Sequence, residues 1–142
     1  MKSFSPVYRI GHDLLLPTKV NDKGPVLFLI DIGSFQNMIA LDLARVVCKV
    51  GETDTAKIKG ISGEVKKVYR AQDVILQFSG YRQRMNDILS LDMSNISNDA
   101  HTEVSGIYGF EMLQMLEIKI DYRDGLVAFK FDSKRFHSPS LL

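Results

Sequence analysis

The chain lacks sequence features that are typical of several large classes of protein. Its 142 residues contain one cysteine, Cys48, so an internal disulfide is excluded. The formal net charge is +1, which offers no electrostatic basis for binding nucleic acid or an anionic membrane surface. Its apolar runs are much shorter than the roughly 20 residues that a membrane-spanning helix requires. We therefore expect no nucleic-acid partner and no membrane span in this chain.

Metal-binding spacings and common hydrolase signatures are also missing. The histidines His12, His101 and His137 are scattered without the spacing of metal ligands, so we expect them to face solvent. The sequence has no Gly-x-Ser-x-Gly elbow, which argues against a serine nucleophile. Cys48 ends an apolar helical pattern and is expected to pack as a small hydrophobic residue. The sequence therefore predicts no metal and no cofactor.

The length of the chain suits one domain with a hydrophobic core. We predict a single domain over residues 1–131 and a weakly patterned C-terminal tail over residues 132–142, in which Leu141 and Leu142 offer apolar contacts. The first four residues lack the apolar run of a signal peptide. Localisation stays open between a cytoplasmic protein and an exported domain whose targeting segment is absent from this chain.

The most informative feature is an acidic residue at the end of a short apolar run. Residues 26–30 are all apolar, which predicts a strand buried on both faces, and Asp31-Ile32-Gly33-Ser34 follows directly. An ionised carboxylate is costly beside a core unless something pairs or uses it. Gly33 permits a tight backbone turn beside the acid. A lone aspartate after a strand is more often a turn former or a helix cap, so the motif needs support from elsewhere in the chain.

Two glycine-containing segments supply that support. Lys59-Gly60-Ile61-Ser62-Gly63 lies near the centre of a predicted hairpin over residues 55–78, and glycines at both ends of its tip suit a mobile lid. Gly106-Ile107-Tyr108-Gly109 lies roughly three-quarters of the way along the chain, before a short apolar stretch with a helical pattern. Neither segment is specific for one function when it is taken alone.

The remaining pattern predicts mostly short strands. We expect a helix over residues 37–47 with Asn37 as its cap, and one or two helical turns over residues 110–116. The polar stretch 94–104 is predicted to be a surface loop, and Arg123-Asp124-Gly125 is predicted to be the turn of a hairpin. These elements predict an all-β domain, closed or nearly closed into a barrel.

Over residues 8–131 the chain resembles the retropepsin-like aspartic peptidases, and in particular their non-viral, bacterial-type members. Asp31-Ile32-Gly33-Ser34 is similar to the Asp-Thr/Ser-Gly-Ser/Ala motif of that family. Residues 59–63 resemble the tip of the family's flap hairpin. Ile107-Tyr108-Gly109 resembles its apolar-apolar-Gly segment, which passes behind the catalytic loop.

The resemblance implies a retropepsin-like closed β-barrel with one or two short helices and one active-site half per chain. It implies an aspartic endopeptidase in which a homodimer activates water between two Asp31 carboxylates. The substrate would be an extended peptide or protein segment, covered by a flap, and the tail would be a candidate for docking at the dimer interface. Ser34 would orient Asp31. The residues given to the flap are Gly60, Ile61, Ser62 and Gly63, and those supporting the loop are Ile107, Tyr108 and Gly109.

Ile32 departs from the family pattern. The family has Thr or Ser there, and its hydroxyl bonds to the partner's active-site loop. Ile32 has no such donor, and a lost buried hydrogen bond typically costs about 1 kcal/mol. An alternative function is therefore a retropepsin-like peptide- or protein-binding module that cleaves weakly or not at all. A third possibility is a monomeric precursor for which dimerisation is the switch. Tyr108, where Leu or Ile is usual, is a milder departure.

Overall fold

The computed structural model describes residues 3–59 and 65–131. The predicted flap tip, from Gly60 to Gly63, and the predicted tail over 132–142, including His137, lie outside the described residues. Within the described ranges the chain forms thirteen strands and three short helices. The strands are β1 Ser3–Pro6, β2 Tyr8–Ile10, β3 Asp13–Val20, β4 Lys23–Ile30, β5 Met38–Ala40, β6 Lys49–Lys59, β7 Val65–Gln72, β8 Val74–Phe78, β9 Tyr81–Met85, β10 Ile88–Leu91, β11 Gly106–Tyr108, β12 Leu116–Asp121 and β13 Leu126–Phe131. The helices are α1 Leu41–Val47, α2 Ser94–Ala100 and α3 Phe110–Leu113.

The strands form two sheets. The larger has ten strands in the order β6-β7-β10-β5-β11-β4-β3-β8-β9, with β2 also paired to β3. The smaller has three strands in the order β1-β13-β12. Within the larger sheet, β4 pairs antiparallel with β3 and parallel with β11. This arrangement confirms the predicted all-β class and holds the end of β4 between two neighbouring strands.

Aromatic rings fill the centre of the core. The ring of Tyr108 lies 4.8 Å from that of Phe28 and 4.9 Å from that of Phe78, measured between centroids. Phe129, from the smaller sheet, meets Phe78 edge-on at 5.4 Å, so the two sheets share one core. Gly106 lies against Phe28 so closely that a Cβ there would stand 2.3 Å from the ring.

The apolar run before Asp31 forms a strand as predicted, but its burial is only partial. Phe28 is fully buried, whereas residues 26, 27, 29 and 30 retain some exposure. Leu27 and Leu29 pack on a small cluster formed by Leu15, Ala100 and Val104, which does not cover the strand completely. The prediction of a strand buried on both faces was therefore right for one residue and too strong for the rest.

Two helix predictions are corrected. Residues 37–47 were predicted as one helix capped by Asn37, but residues Met38–Ala40 form β5 and the helix starts at Leu41. Pairing of β5 with β10 and β11 overrides the local helical pattern. Residues 94–104 were predicted to be a loop, but Ser94–Ala100 form α2.

The polar composition of α2 concealed its amphipathic face. Ile96 and Ala100, one helical turn apart, pack against the cluster of Leu15 and Val104. At its start, the carboxylate of Asp92 accepts a hydrogen bond of 2.8 Å from the backbone N–H of Ser94. The Ser97 hydroxyl also accepts a hydrogen bond of 2.9 Å from the N–H of Val104, so apolar and polar contacts together hold this short helix to the sheet.

The other predicted elements are present. α3 gives the predicted helical turn after Gly109, and β12 and β13 form the predicted hairpin around residues 123–125. β6 and β7 pair antiparallel and form a hairpin over residues 49–72. The predicted bounds of 55–78 are corrected, because Val74–Phe78 form the separate strand β8, which pairs with β3 and β9. In the part of the chain that the structure describes, no helix has the length and apolar character needed to cross a membrane.

Candidate active site

Asp31 lies at the first position after β4, in a loop that leads to β5. Its backbone N–H donates to the carbonyl of Tyr108 at 3.0 Å, which extends the pairing of β4 with β11 by one residue. Its own carbonyl accepts from the N–H of Ser34 at 3.2 Å and closes a tight turn. The N–H of Gly33 donates to Asp31 Oδ1 at 2.9 Å. Asp31 is partly buried, and its carboxylate is oriented by the turn that follows it.

The segment after β11 crosses behind this loop and holds it by backbone hydrogen bonds. The N–H of Phe110 donates to the carbonyl of Ser34 at 2.7 Å, and that of Glu111 donates to the carbonyl of Phe35 at 2.9 Å. The structure thus brings Asp31 and Ile107-Tyr108-Gly109 together, although they are far apart in sequence. Backbone bonds of this kind fix the position of the loop whatever its side chains are.

Asn37 completes the connection between the two segments. Its side-chain oxygen accepts from the N–H of Gly109 at 2.8 Å, and its backbone N–H donates to Glu111 Oε1 at 3.3 Å. The residue is 2% exposed and its bond to Gly109 is buried, in an environment where a hydrogen bond stabilises most. Asn37 was predicted to be a helix cap, and it instead ties the end of the loop to β11 and α3.

Gly109 lies where there is no room for a side chain. Its backbone φ of −94° is open to any residue. A Cβ at this position, however, would lie 2.5 Å from the carbonyl oxygen of Gln36 and 2.7 Å from that of Ser34. The absence of a side chain therefore allows the crossing segment to touch the loop.

Tyr108 belongs to the core that supports the site. Its hydroxyl lies 2.8 Å from Thr18 Oγ1, which also bonds to the carbonyl of Leu16 at 3.1 Å. Burial raises the pKa of the Tyr108 hydroxyl far above its ordinary value, so the group stays neutral. The Tyr108 hydroxyl, which is unusual at this position of the motif, is hydrogen-bonded to the buried hydroxyl of Thr18 on β3.

Ser34 differs from its expected role. Its hydroxyl donates to the carbonyl of Gln36 at 3.1 Å, within the loop. The expected bond from this hydroxyl to Asp31 is replaced by the bond from the N–H of Gly33. The tight turn brings that amide within reach of the carboxylate and leaves the Ser34 hydroxyl to its own loop.

Three apolar side chains project from the loop and from its supporting segment. Ile32 is 73% exposed, Phe35 is 67% exposed and Phe110 is 45% exposed, and we call these three residues the loop patch. Of these three residues, only Ile32 stands out in the sequence, as a departure from the motif. Phe35 and Phe110 could also have been found in the sequence, because each directly follows a recognised motif. Because backbone hydrogen bonds join the two segments, this exposed apolar surface is a candidate interaction surface.

The other candidates lie outside this site. His12 and His101 are exposed, as predicted. Cys48 is partly buried, and burial raises the pKa of its thiol, which disfavours the nucleophilic thiolate. Over residues 3–59 and 65–131, no three His, Cys, Asp or Glu side chains are grouped in a way that could hold a metal ion.

Comparison with solved structures identifies the fold. EIAV protease, in a complex with the inhibitor HBY-793, matches with a TM-score of 0.54 and 18% identity over 75% of this chain and 90% of that one. A retropepsin-like aspartic protease from Rickettsia conorii matches with a TM-score of 0.51 and 12% identity over 91% of this chain and 90% of that one. The fold is retropepsin-like. In sequence, no family model and no curated protein matches the chain. Similarity at this level of identity establishes the retropepsin-like fold, and function has to be argued from the site.

Proposed function

We propose that this retropepsin-like protein is an aspartic endopeptidase that acts as a homodimer, with Asp31 of each chain forming the catalytic pair. The observation that carries the proposal is Asp31, a partly buried acid held at the end of β4 by the crossing segment. Reactive groups need such fixed positions because small displacements reduce rates strongly. The backbone bonds of Asp31 to Tyr108 and Ser34 supply that rigidity.

Peptide hydrolysis by carboxylates needs two of them around one water. One carboxylate takes a proton from the water as its oxygen attacks the carbonyl carbon, and the other gives a proton to the carbonyl oxygen. Collapse of the resulting diol breaks the C–N bond, and the leaving nitrogen takes up a proton. Two carboxylates about 3 Å apart cannot both be ionised, so the pair shares one proton and each member has its own role.

A second chain is the natural source of the second carboxylate. Within the described loop and crossing segment of one chain, the only other acid is Glu111, and it is engaged by the backbone of Asn37. A two-fold axis beside the loop would bring two copies of Asp31 together. The loop patch of Ile32, Phe35 and Phe110 offers apolar surface for that contact.

The long hairpin of β6 and β7 suits a flap. β6 and β7 run antiparallel from Lys49 to Lys59 and back to Gln72. We propose that Gly60, Ile61, Ser62 and Gly63, at its tip, close over an extended peptide substrate and exclude water. Extended peptides bind such sites through main-chain hydrogen bonds, with pockets for alternate side chains.

The test is cleavage of a denatured protein by the purified chain over a range of pH. We expect activity on the acidic side of neutrality, because a pair that shares one proton works only between its two titrations. A statine-type transition-state mimic should block cleavage, and a chelator should have no effect. Activity that is lost to a chelator and restored by zinc would contradict the proposal.

Ile32 favours a second candidate, a binding module with weak or no cleavage. In the family a hydroxyl at this position bonds across to the partner loop, and Ile32 has none. The peptidase hypothesis and the binding-module hypothesis predict the same fold and the same kind of ligand, a peptide. They differ in whether the two loops are held closely enough for their carboxylates to share a water.

Replacing Ile32 with threonine is expected to raise kcat/KM and to tighten the dimer. Ile32 is 73% exposed in its own chain, so the smaller side chain leaves no void in the fold. One new hydrogen bond per chain at about 1 kcal/mol would tighten the dimer roughly thirtyfold. Sedimentation and initial rates for both proteins provide the measurement. If the threonine protein is weaker by both, Ile32 is part of an adapted interface and the binding module is favoured.

A further inference from the structure

β9 is an edge strand that carries two exposed arginines. It ends the ten-stranded sheet, and within the described residues no strand pairs with its outer side. Its side chains alternate between two faces: Tyr81, Gln83 and Met85 face the core, and Arg82 and Arg84 point the other way into solvent. Backbone N–H and C=O groups at such an edge pair readily with an added strand.

The turn between β8 and β9 determines which backbone groups of β9 point outward. Ser79 and Gly80 have φ values of 47° and 80°, the positive values that a two-residue type I′ turn requires, and Phe78 pairs with Tyr81 across this turn. The N–H and C=O of Tyr81 therefore point to β8, and the direction alternates along the strand. The outward backbone groups of β9 thus belong to the two arginines, whose side chains are also exposed.

Positive charge extends from this edge across one face of the sheet. Residues that lie opposite each other in neighbouring strands form a row from Lys19 on β3 through Gln77 on β8 to Arg82 on β9, and this row lines a cavity of about 330 Å³. Among residues 3–59 and 65–131, no aspartate or glutamate lines that cavity, and none forms an ion pair with Lys19, Arg82 or Arg84. The edge and the adjacent face therefore favour a negatively charged partner.

The charges also determine what kind of strand fits this edge. A second copy of β9 is disfavoured, because every antiparallel register that pairs the arginine positions of two such strands sets arginine against arginine. An acidic strand is favoured, and its residues opposite Arg82 and Arg84 are separated by one residue, since alternate side chains share a face. The residue between them falls on the core face beside the partly buried Tyr81 and Met85, where an apolar side chain fits.

We propose that β9 binds an extended acidic segment of a partner protein, which adds an antiparallel strand to the sheet and places two carboxylates opposite Arg82 and Arg84. The pattern that it recognises is acid-apolar-acid. The inference goes beyond the proposed function, because β3 and β8 separate β9 from β4, the strand that leads to Asp31. The segment therefore binds at an edge of the sheet away from the candidate catalytic residue.

Two labelled peptides of identical composition test the strand pairing. Thr-Val-Glu-Val-Glu-Val-Thr places both glutamates on one face, whereas Thr-Val-Val-Glu-Glu-Val-Thr sets one of them on the core face. We expect the wild-type chain to bind the first peptide about tenfold more tightly, measured by fluorescence anisotropy at neutral pH and low ionic strength. Added salt should reduce the difference. Equal affinity for the two peptides would show that charge alone is recognised and would overturn the pairing.

Charge reversal on β9 tests the position of the site. R82E and R84E should each weaken binding of the first peptide by about tenfold. R123E makes the same change in charge at an exposed position of the turn between β12 and β13, and it should leave the affinity within about twofold. The double variant R82E/R84E should instead bind Thr-Val-Lys-Val-Lys-Val-Thr, which the wild type should not. Circular dichroism verifies folding, and either single variant is sufficient if the other folds poorly.

Anisotropy detects binding without cleavage, so this inference and the proposed function can fail separately. A statine-type mimic, which is expected to occupy the Asp31 site, should leave peptide binding unchanged. Displacement of the peptide by the mimic, or undiminished binding by both R82E and R84E, overturns the inference. Self-association that is weaker in R84E but not in R123E assigns the edge to a second copy and overturns it as well. A chain that binds the peptide through β9 and cleaves nothing supports this inference and contradicts the proposed function.

Discussion

Asp31→Asn is expected to abolish peptide cleavage while the chain still folds and dimerises. The amide cannot accept a proton from water, and in a homodimer the change removes both carboxylates at once. A positioned acid or base typically contributes about 10² to 10⁴ in rate, so we expect a loss of at least about a thousandfold. The fold should tolerate the change because the side-chain oxygen of asparagine can still accept the bond from the N–H of Gly33, which is 2.9 Å from Oδ1.

The control for this substitution is Asp124→Asn. Asp124 is exposed in the turn between β12 and β13, where its backbone N–H donates to Asp121 Oδ1 at 3.1 Å. The same change in charge there should leave activity within about twofold, since surface substitutions away from such a site have small effects. Cleavage of a denatured protein by purified Asp31→Asn would show that the catalytic assignment is wrong.

Much of the fold follows from local patterns. The apolar run before Asp31 predicts β4, the turn at residues 123–125 predicts the last hairpin, and the short stretch after Gly109 predicts α3. The error at residues 38–40 occurs where long-range pairing prevails. Residues 38–40 have a helical pattern but join a sheet through β10 and β11, which no local rule can anticipate.

The candidate site was predictable in its backbone and less so in its polar contacts. Asp31 and the glycine-ended segment at 107–109 are recognisable by sequence, and the structure brings them together. Asn37 bonds to Gly109 across 72 positions, and Thr18 meets Tyr108 across 90. The residues next to an asparagine or a threonine do not indicate which distant residue it will bond to. These two contacts could therefore be identified only from the structure.

Gly109→Ala is expected to destabilise the chain and to displace the Asp31 loop. The added Cβ would lie 2.5 Å from the carbonyl oxygen of Gln36 and 2.7 Å from that of Ser34. Both atoms are backbone, and the N–H of Phe110 holds the second at 2.7 Å, so neither can move without breaking a bond that positions the loop. Overpacking of this kind typically costs about 1–3 kcal/mol, and we expect the upper end of that range.

Substitutions at two other glycines distinguish a loss of stability from a loss of activity. Gly51→Ala adds a Cβ with nothing within 4 Å and should leave stability nearly unchanged. Gly106→Ala places its Cβ 2.3 Å from the ring of Phe28, so it should destabilise the core without touching the backbone of the Asp31 loop. Urea unfolding of the three variants, with kcat/KM measured where each is fully folded, tests this difference. We expect Gly109→Ala to lose stability and activity, and Gly106→Ala to lose mainly stability. If folded Gly109→Ala cleaves as fast as folded Gly106→Ala, contact between the crossing segment and the loop does not position Asp31.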